Sequence, residues 1–224
     1  MKNSTISVNA ALLLLIVSSL FSSSCNTMTK TQKGAVIGAA SGGTIGALIG
    51  KRAGNTALGA IVGGAIGGTA GAFIGRKMDR QAAELKNTLP GAEVIREGEG
   101  IIVKFDSGIL FDTGKSSLKS EAKKNIESLV ASLKSNPGTN VMVVGHTDNV
   151  GSDQYNLSLS EQRASSVKNY ISNLGINSSR VTTRGMGEAE PIADNTTEVG
   201  KASNRRVEVV IVANEALKAE AGKQ

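Results

Sequence analysis

The sequence predicts an α/β fold: a βαβαβ-type two-layer sandwich with a mixed sheet, preceded by a glycine-rich helical hairpin. Three observations predict it. Val141-Met142-Val143-Val144 is continuously apolar, as a strand covered on both faces would be. Apolar residues recur at helical spacing on either side of it, over 118–133 and 156–174. Glycine, with 27 residues against 3 prolines, is concentrated in two regular rows ahead of this region.

Taken in order, the first element is an export signal, residues 1–24. Lys2 is a short basic region, and Ala11 to Phe21 is an apolar stretch too short for an ordinary spanning helix. Ser22-Ser23-Ser24 then leads into Cys25, the sole cysteine. A single Cys makes no internal disulfide. Its place resembles a bacterial lipobox, with Ser22 where Leu is usual. On that reading Cys25 is acylated, and 25–33 is a lipid-anchored linker. Ordinary cleavage after a small residue is the alternative.

Residues 34–78 hold the hairpin. Gly34, Gly38, Gly42, Gly46 and Gly50 recur at every fourth position, as do Gly59, Gly63, Gly67, Gly71 and Gly75. GALIGKR (46–52) is echoed by GAFIGRK (71–77), so the segment is an internal repeat. In a helix this spacing makes one face without side chains, where a second backbone can approach. Glycine costs a helix about 1 kcal/mol per residue in water, so close packing has to compensate. Each row spans roughly 26 Å, slightly less than a hydrocarbon core. Lys51, Arg52, Arg76 and Lys77 end the rows, where their charges can reach headgroups. Such a hairpin lies in or against a membrane and allows homo-oligomers. Alternatively, it packs on itself in the periplasm as a spacer. Neither row contains an acidic residue, which disfavours proton-coupled conduction.

Residues 79–92 read as a linker ending at Pro90-Gly91. A domain over 93–214 follows. Glu93 to Arg96 and Ile101 to Phe105 flank Gly98-Glu99-Gly100 as a hairpin. Ile109-Leu110-Phe111 precedes a turn at Asp112-Thr113-Gly114. Leu118, Ala122, Ile126, Leu129, Val130 and Leu133 mark a helix that stops before Pro137-Gly138. After the strand at 141–144 comes a helix from about Asn156 to Leu174, closed by Gly175. Strands follow near Val181 and over Val207 to Val212, with a long loop from Gly185 to Arg206 between them. Residues 215–224 read as a polar tail.

The second helix raises a question. Arg163 shares its apolar arc with Leu159, Val167, Tyr170, Ile171 and Leu174. A buried cation needs an anion, and Asp148 stands on the turn leaving the central strand. A parallel crossover would set that turn beside the first turn of the helix. Either Asp148 pairs with Arg163, or serves the turn with Asn156 as helix N-cap; or the two charges divide a zwitterionic ligand, ammonium to Asp148 and carboxylate to Arg163.

Composition excludes several functions. The net charge of +6 is modest and scattered, and Phe, Tyr and Trp make up 3% of residues, too few for base stacking, so no nucleic-acid partner is expected. One His and one Cys cannot build a His–His or Cys–His metal set. No cofactor is implied. Glu161, the acid/base partner Asp148 would need, falls on the opposite side of the helix from Arg163, and the serines lack a neighbouring base, so the chain is expected not to be an enzyme.

HTDNVG (146–151), NLSLSEQRASSV (156–167) and NRRVEV (204–209) resemble the OmpA-like C-terminal domain of peptidoglycan-associated lipoproteins. The likeness runs over roughly 100–213. The lipobox and glycine rows resemble the glycine-zipper lipoproteins of that group. The resemblance implies non-covalent binding of peptidoglycan through the diaminopimelate of its stem peptide, with Asp148 on the amino group and Arg163 on the carboxylate. It implies further contacts from Asn156, Arg205 and the turn after Phe111. There this chain has Gly114 in place of the Asn of some relatives, so that contact would come from backbone. It also implies a lipoprotein anchored in the outer membrane, with its C-terminal domain in the periplasm, tethering membrane to wall. The alternative is a membrane-inserted oligomeric pore or secretion component that uses the domain as a wall clamp.

Overall fold

In the computed structural model, residues 68–223 are described. The signal peptide, Cys25, the 25–33 linker and the hairpin as far as Gly67 lie outside the described residues. Among the described residues no helix is long and apolar enough to cross a membrane.

Five strands form one mixed sheet. Strand β1 (Ala92–Glu97) pairs antiparallel with β2 (Gly100–Asp106), with Glu97 opposite Gly100. This is the expected hairpin, closed by a two-residue turn in which Gly98 has φ 50°. In the centre, β5 (Arg206–Ala213) lies antiparallel between β2 and β3 (Thr139–Gly145), and β4 (Val181–Gly185) runs parallel to β3 at the edge. The spatial order is β1-β2-β5-β3-β4.

The helices pack on one face. Helix α1 (Thr69–Thr88) is followed after β2 by the short α2 (Ser107–Leu110), then α3 (Ser120–Ser135) and α4 (Asp153–Asn173). Two more short helices, α5 (Glu198–Asn204) and α6 (Glu215–Ala221), complete the chain. Strand side chains alternate, so Ile101, Val103 and Phe105 of β2 meet Val207, Val209 and Ile211 of β5 in the core under the helices. On the other face Ile102, Val144 and Val210 form a small second cluster with Ile95, Met142, Met186 and Val212. That second cluster is why β3 reads as apolar on both faces.

Four expectations are corrected. The polar stretch 79–88 is the second half of α1, and the 79–92 segment is no linker up to Thr88. Its Lys, Arg and Asp residues mask a stripe of Ile74, Met78, Ala82 and Leu85, all buried against the domain. Lys77, expected at headgroups, binds Glu220 of α6 at 3.1 Å and lies over the Phe73 ring. The 215–224 segment is not a plain tail, because α6 buries Leu217 and Ala221. Within the long loop, Thr197 caps α5 by accepting from the Gly200 amide.

Candidate ligand-binding site

The site is built at the end of β3. A Cβ on Gly145, the last residue of that strand, would lie 2.2 Å from the carbonyl oxygen of Ser160. The backbone of α4 therefore rests directly on the strand end, a contact that only glycine permits. This close approach sets the turn 146–152 beside the first turns of α4, as the crossover predicts. The helix begins earlier than expected: its N-cap is Ser152, which accepts from the Tyr155 amide, and Asn156 lies inside the first turns.

Asn156 does different work. It is 1% exposed, and its Nδ2 donates to the Asp148 carbonyl at 3.3 Å and to Glu188 Oε2 at 2.6 Å. Asp148, 7% exposed, accepts from the Val150 amide at 3.1 Å through Oδ1. Its Oδ2 pairs with Nη1 of Arg205, whose side chain is 39% exposed.

Arg163 is 3% exposed. Its Nε donates to the Lys115 carbonyl at 3.1 Å, and its guanidinium lies 5.3 Å from the centre of the Phe111 ring. Burial lowers its pKa from the ordinary value, opposed by Tyr155 and Asp148 and reinforced by Arg205. It forms no ion pair with Asp148. The direct pairing considered for these two residues is therefore absent. The turn role is present, but it coexists with the bond to Arg205 and leaves the N-cap to Ser152. Gly114 adopts φ 69° in the turn after Phe111, where a Cβ would stand 3.7 Å from the Tyr155 hydroxyl. Its part is the left-handed turn that aims the Lys115 carbonyl at Arg163.

The structure thus joins Asp148, Asn156 and Arg205 in one bonded chain, with Arg163 on the same side of the sandwich, held by the 111–115 turn. It also adds Glu188, which sequence reasoning missed. Glu188 follows Gly187, whose carbonyl accepts from the Thr147 amide at 2.8 Å. That bond brings the end of the parallel edge strand alongside the end of β3. No spacing rule ties Glu188 to Asn156, 32 residues away.

Behind the site lies a buried ionic group. Arg206, 0% exposed, binds Glu208 Oε1 at 2.7 Å and the carbonyls of Asn204 and Glu190. His146, also 0% exposed, has neither ring nitrogen hydrogen-bonded. Burial first, then the positive charge of Arg206, take its pKa down to about 4, against the opposing pull of Glu208. It is therefore held as a neutral imidazole in the interior. Among the described residues, no three His, Cys, Asp or Glu side chains group as a metal site. A separate groove of about 630 Å³ lies between α1, α3 and α6, where Lys77 and Glu220 already pair, and contains none of these site residues.

The chain resembles known proteins in sequence and in fold. Residues 110–205 match the OmpA family model, and residues 1–79 match the YMGG-like Gly-zipper. The protein named Probable lipoprotein YiaD of Escherichia coli is 39% identical over 136 residues, 60% of this chain and 62% of that protein. Outer membrane protein A of Bordetella avium is 41% identical over 110 residues, 49% of this chain and 57% of that protein. Outer membrane porin F of Pseudomonas fluorescens is 42% identical over 112 residues, 50% of this chain and 34% of that protein. The chain therefore spans less than two thirds of each of these relatives. Among solved structures, the cell wall anchor of the T6SS from Pseudomonas aeruginosa superposes with a TM-score of 0.53 at 27% identity, covering 61% of this chain and 97% of that one. A MotB-like protein from Desulfovibrio vulgaris has the same fold, with a TM-score of 0.59 at 24% identity, covering 63% of this chain and 94% of that one.

Proposed function

We propose that this chain, an OmpA-family domain over residues 110–205 behind a Gly-zipper segment, tethers the outer membrane to the cell wall by binding the diaminopimelate of peptidoglycan. The observation that carries this reading is that Asp148 and Arg163, opposite in charge and both buried, are not bonded to each other. Asp148 has Arg205, but the desolvated guanidinium of Arg163 meets a carbonyl and a ring face and bonds no carboxylate, so an anion is needed to complete it. The free end of diaminopimelate is an ammonium and a carboxylate on one carbon. The carboxylate takes the two Nη groups of Arg163, a charge-assisted and directional contact, while Phe111 and the Lys115 carbonyl fix the guanidinium. The ammonium goes to Asp148. Asn156 holds the Asp148 backbone, and Arg205 holds its carboxylate. Gly114 contributes the turn rather than a side chain. The reading is one of binding, and His146, buried behind the site, takes no part in it.

On this reading Cys25 carries the acyl chains, the domain lies in the periplasm, and many weak sites along one polymer add up by avidity. The test is pulldown on purified sacculi. Asp148→Ala and Arg163→Ala are each expected to abolish it with the domain still folded by circular dichroism; retained binding in both sinks the assignment.

A second reading is favoured by the likeness to the T6SS wall anchor. Here the Gly-zipper segment is itself membrane-inserted, as a pore or secretion component, and the domain is its wall clamp. Cys25→Ala separates the two readings. A lipid-dependent tether becomes soluble on fractionation, whereas an inserted hairpin stays with membranes.

A further inference from the structure

We infer that Glu188 is a second carboxylate of the ligand site, and that together with Asn156 it reads the ammonium group of the ligand. The inference rests on the binding reading above and adds the residue that sets its charge selectivity.

The argument begins from charge. Arg163 and Arg205 bring two positive charges to the site, and Asp148 brings one negative charge, already engaged by Arg205. Lys115, beside it, is neutralised by Asp112 at 3.2 Å. With these groups alone the site carries a net positive charge and would favour a plain carboxylate over a zwitterion. Glu188, half-buried and 2.6 Å from Asn156 Nδ2, brings the sum to neutral, which suits a ligand end of zero net charge.

Hydrogen-bond capacity points the same way. An ammonium has three donors. Both hydrogens of Asn156 Nδ2 are spent, on the Asp148 carbonyl and on Glu188, so the amide oxygen is fixed as an acceptor. Glu188 Oε1, the remaining lone pairs of Asp148 and Asn156 Oδ1 are three acceptor groups linked by one side chain. Glu188 is held there by backbone, since Gly187 bonds Thr147 through its carbonyl and Ser160 Oγ through its amide at 2.9 Å.

The experiment measures calorimetric affinity of the full chain in detergent for meso-diaminopimelate and for pimelate, the same dicarboxylate without amino groups. Wild type is expected to prefer diaminopimelate. Glu188→Gln keeps an oxygen for Asn156 but removes the charge. It should weaken diaminopimelate about tenfold and leave pimelate unchanged or tighter. Glu188→Ala should lose at least as much. The ratio of the two affinities does not depend on the folded fraction, so a poorly folding variant still reports. If Glu188→Gln keeps the wild-type ratio, Glu188 only positions Asn156 and the inference falls while the binding reading stands. If wild type binds diaminopimelate no better than pimelate, both fall.

Discussion

Asp148 and Arg163, both more than nine-tenths buried, feel each other's charge yet are not bonded to each other. Asp148 pairs with Arg205, and Arg163 with the carbonyl of Lys115. A double-mutant cycle in stability should show this. Asp148→Asn and Arg163→Met should couple only weakly, by about 0.5 kcal/mol, since the two charges interact without a bond. The pair Asp148 and Arg205 should couple measurably, by up to about 1 kcal/mol because Arg205 is partly solvated. Urea midpoints provide the readout, and a coupling of several kcal/mol between Asp148 and Arg163 would restore the ion pair.

His146 predicts a pH dependence. Its pKa falls from 6.5 in the unfolded chain to about 4 in the fold, chiefly through burial. Above pH 6.5 both states are neutral and nothing is lost. Between 6.5 and about 4 the unfolded chain takes up the proton that the fold refuses, so stability falls as pH falls. The loss approaches about 3 kcal/mol by the lower end. His146→Gln should flatten that part of the profile relative to wild type; identical slopes for the two proteins over pH 7 to 4 would show His146 protonating inside the fold.

Helix α1 is a structural part of the domain. Met78 and Leu85 are both 0% exposed. Met78→Ala and Leu85→Ala should each cost about 2–5 kcal/mol in thermal or urea unfolding, the range for large-to-small changes in a core. Values near zero would return this stretch to the status of a linker.

The periodic elements were legible. Leu118 to Leu133 and Leu159 to Leu174 repeat at helical spacing, and the hairpin declared itself through Gly98 and its flanking alternation. Arg163 could be placed inside because its helical neighbours are apolar. Helix α1 was hidden because its buried stripe is narrow and interrupted by Lys77, Asp79 and Arg80. Helices α5 and α6 were hidden because they are short and bury only Gly200, Asn204, Leu217 and Ala221. In the candidate site, Asp148 and Arg163 were singled out by their charge and position. The bonds from Asp148 to Arg205 and from Asn156 to Glu188 span 57 and 32 residues, and they exist only because β5 and the end of β4 flank β3. Local pattern carries no trace of such neighbours.

The way α1 is fastened has a mechanical consequence. Arg96 clasps Asp79 at 2.9 Å, Lys77 clasps Glu220, and the helix packs against β1, α3 and α6. Tension arriving along the chain ahead of Thr69 is therefore borne first by this strapped helix, along the side of the sheet away from β3 and β4. On the tethering reading, the first turns would peel and lengthen the leash before strain reached Asp148 and Arg163, so the ligand site would be insulated from the pull.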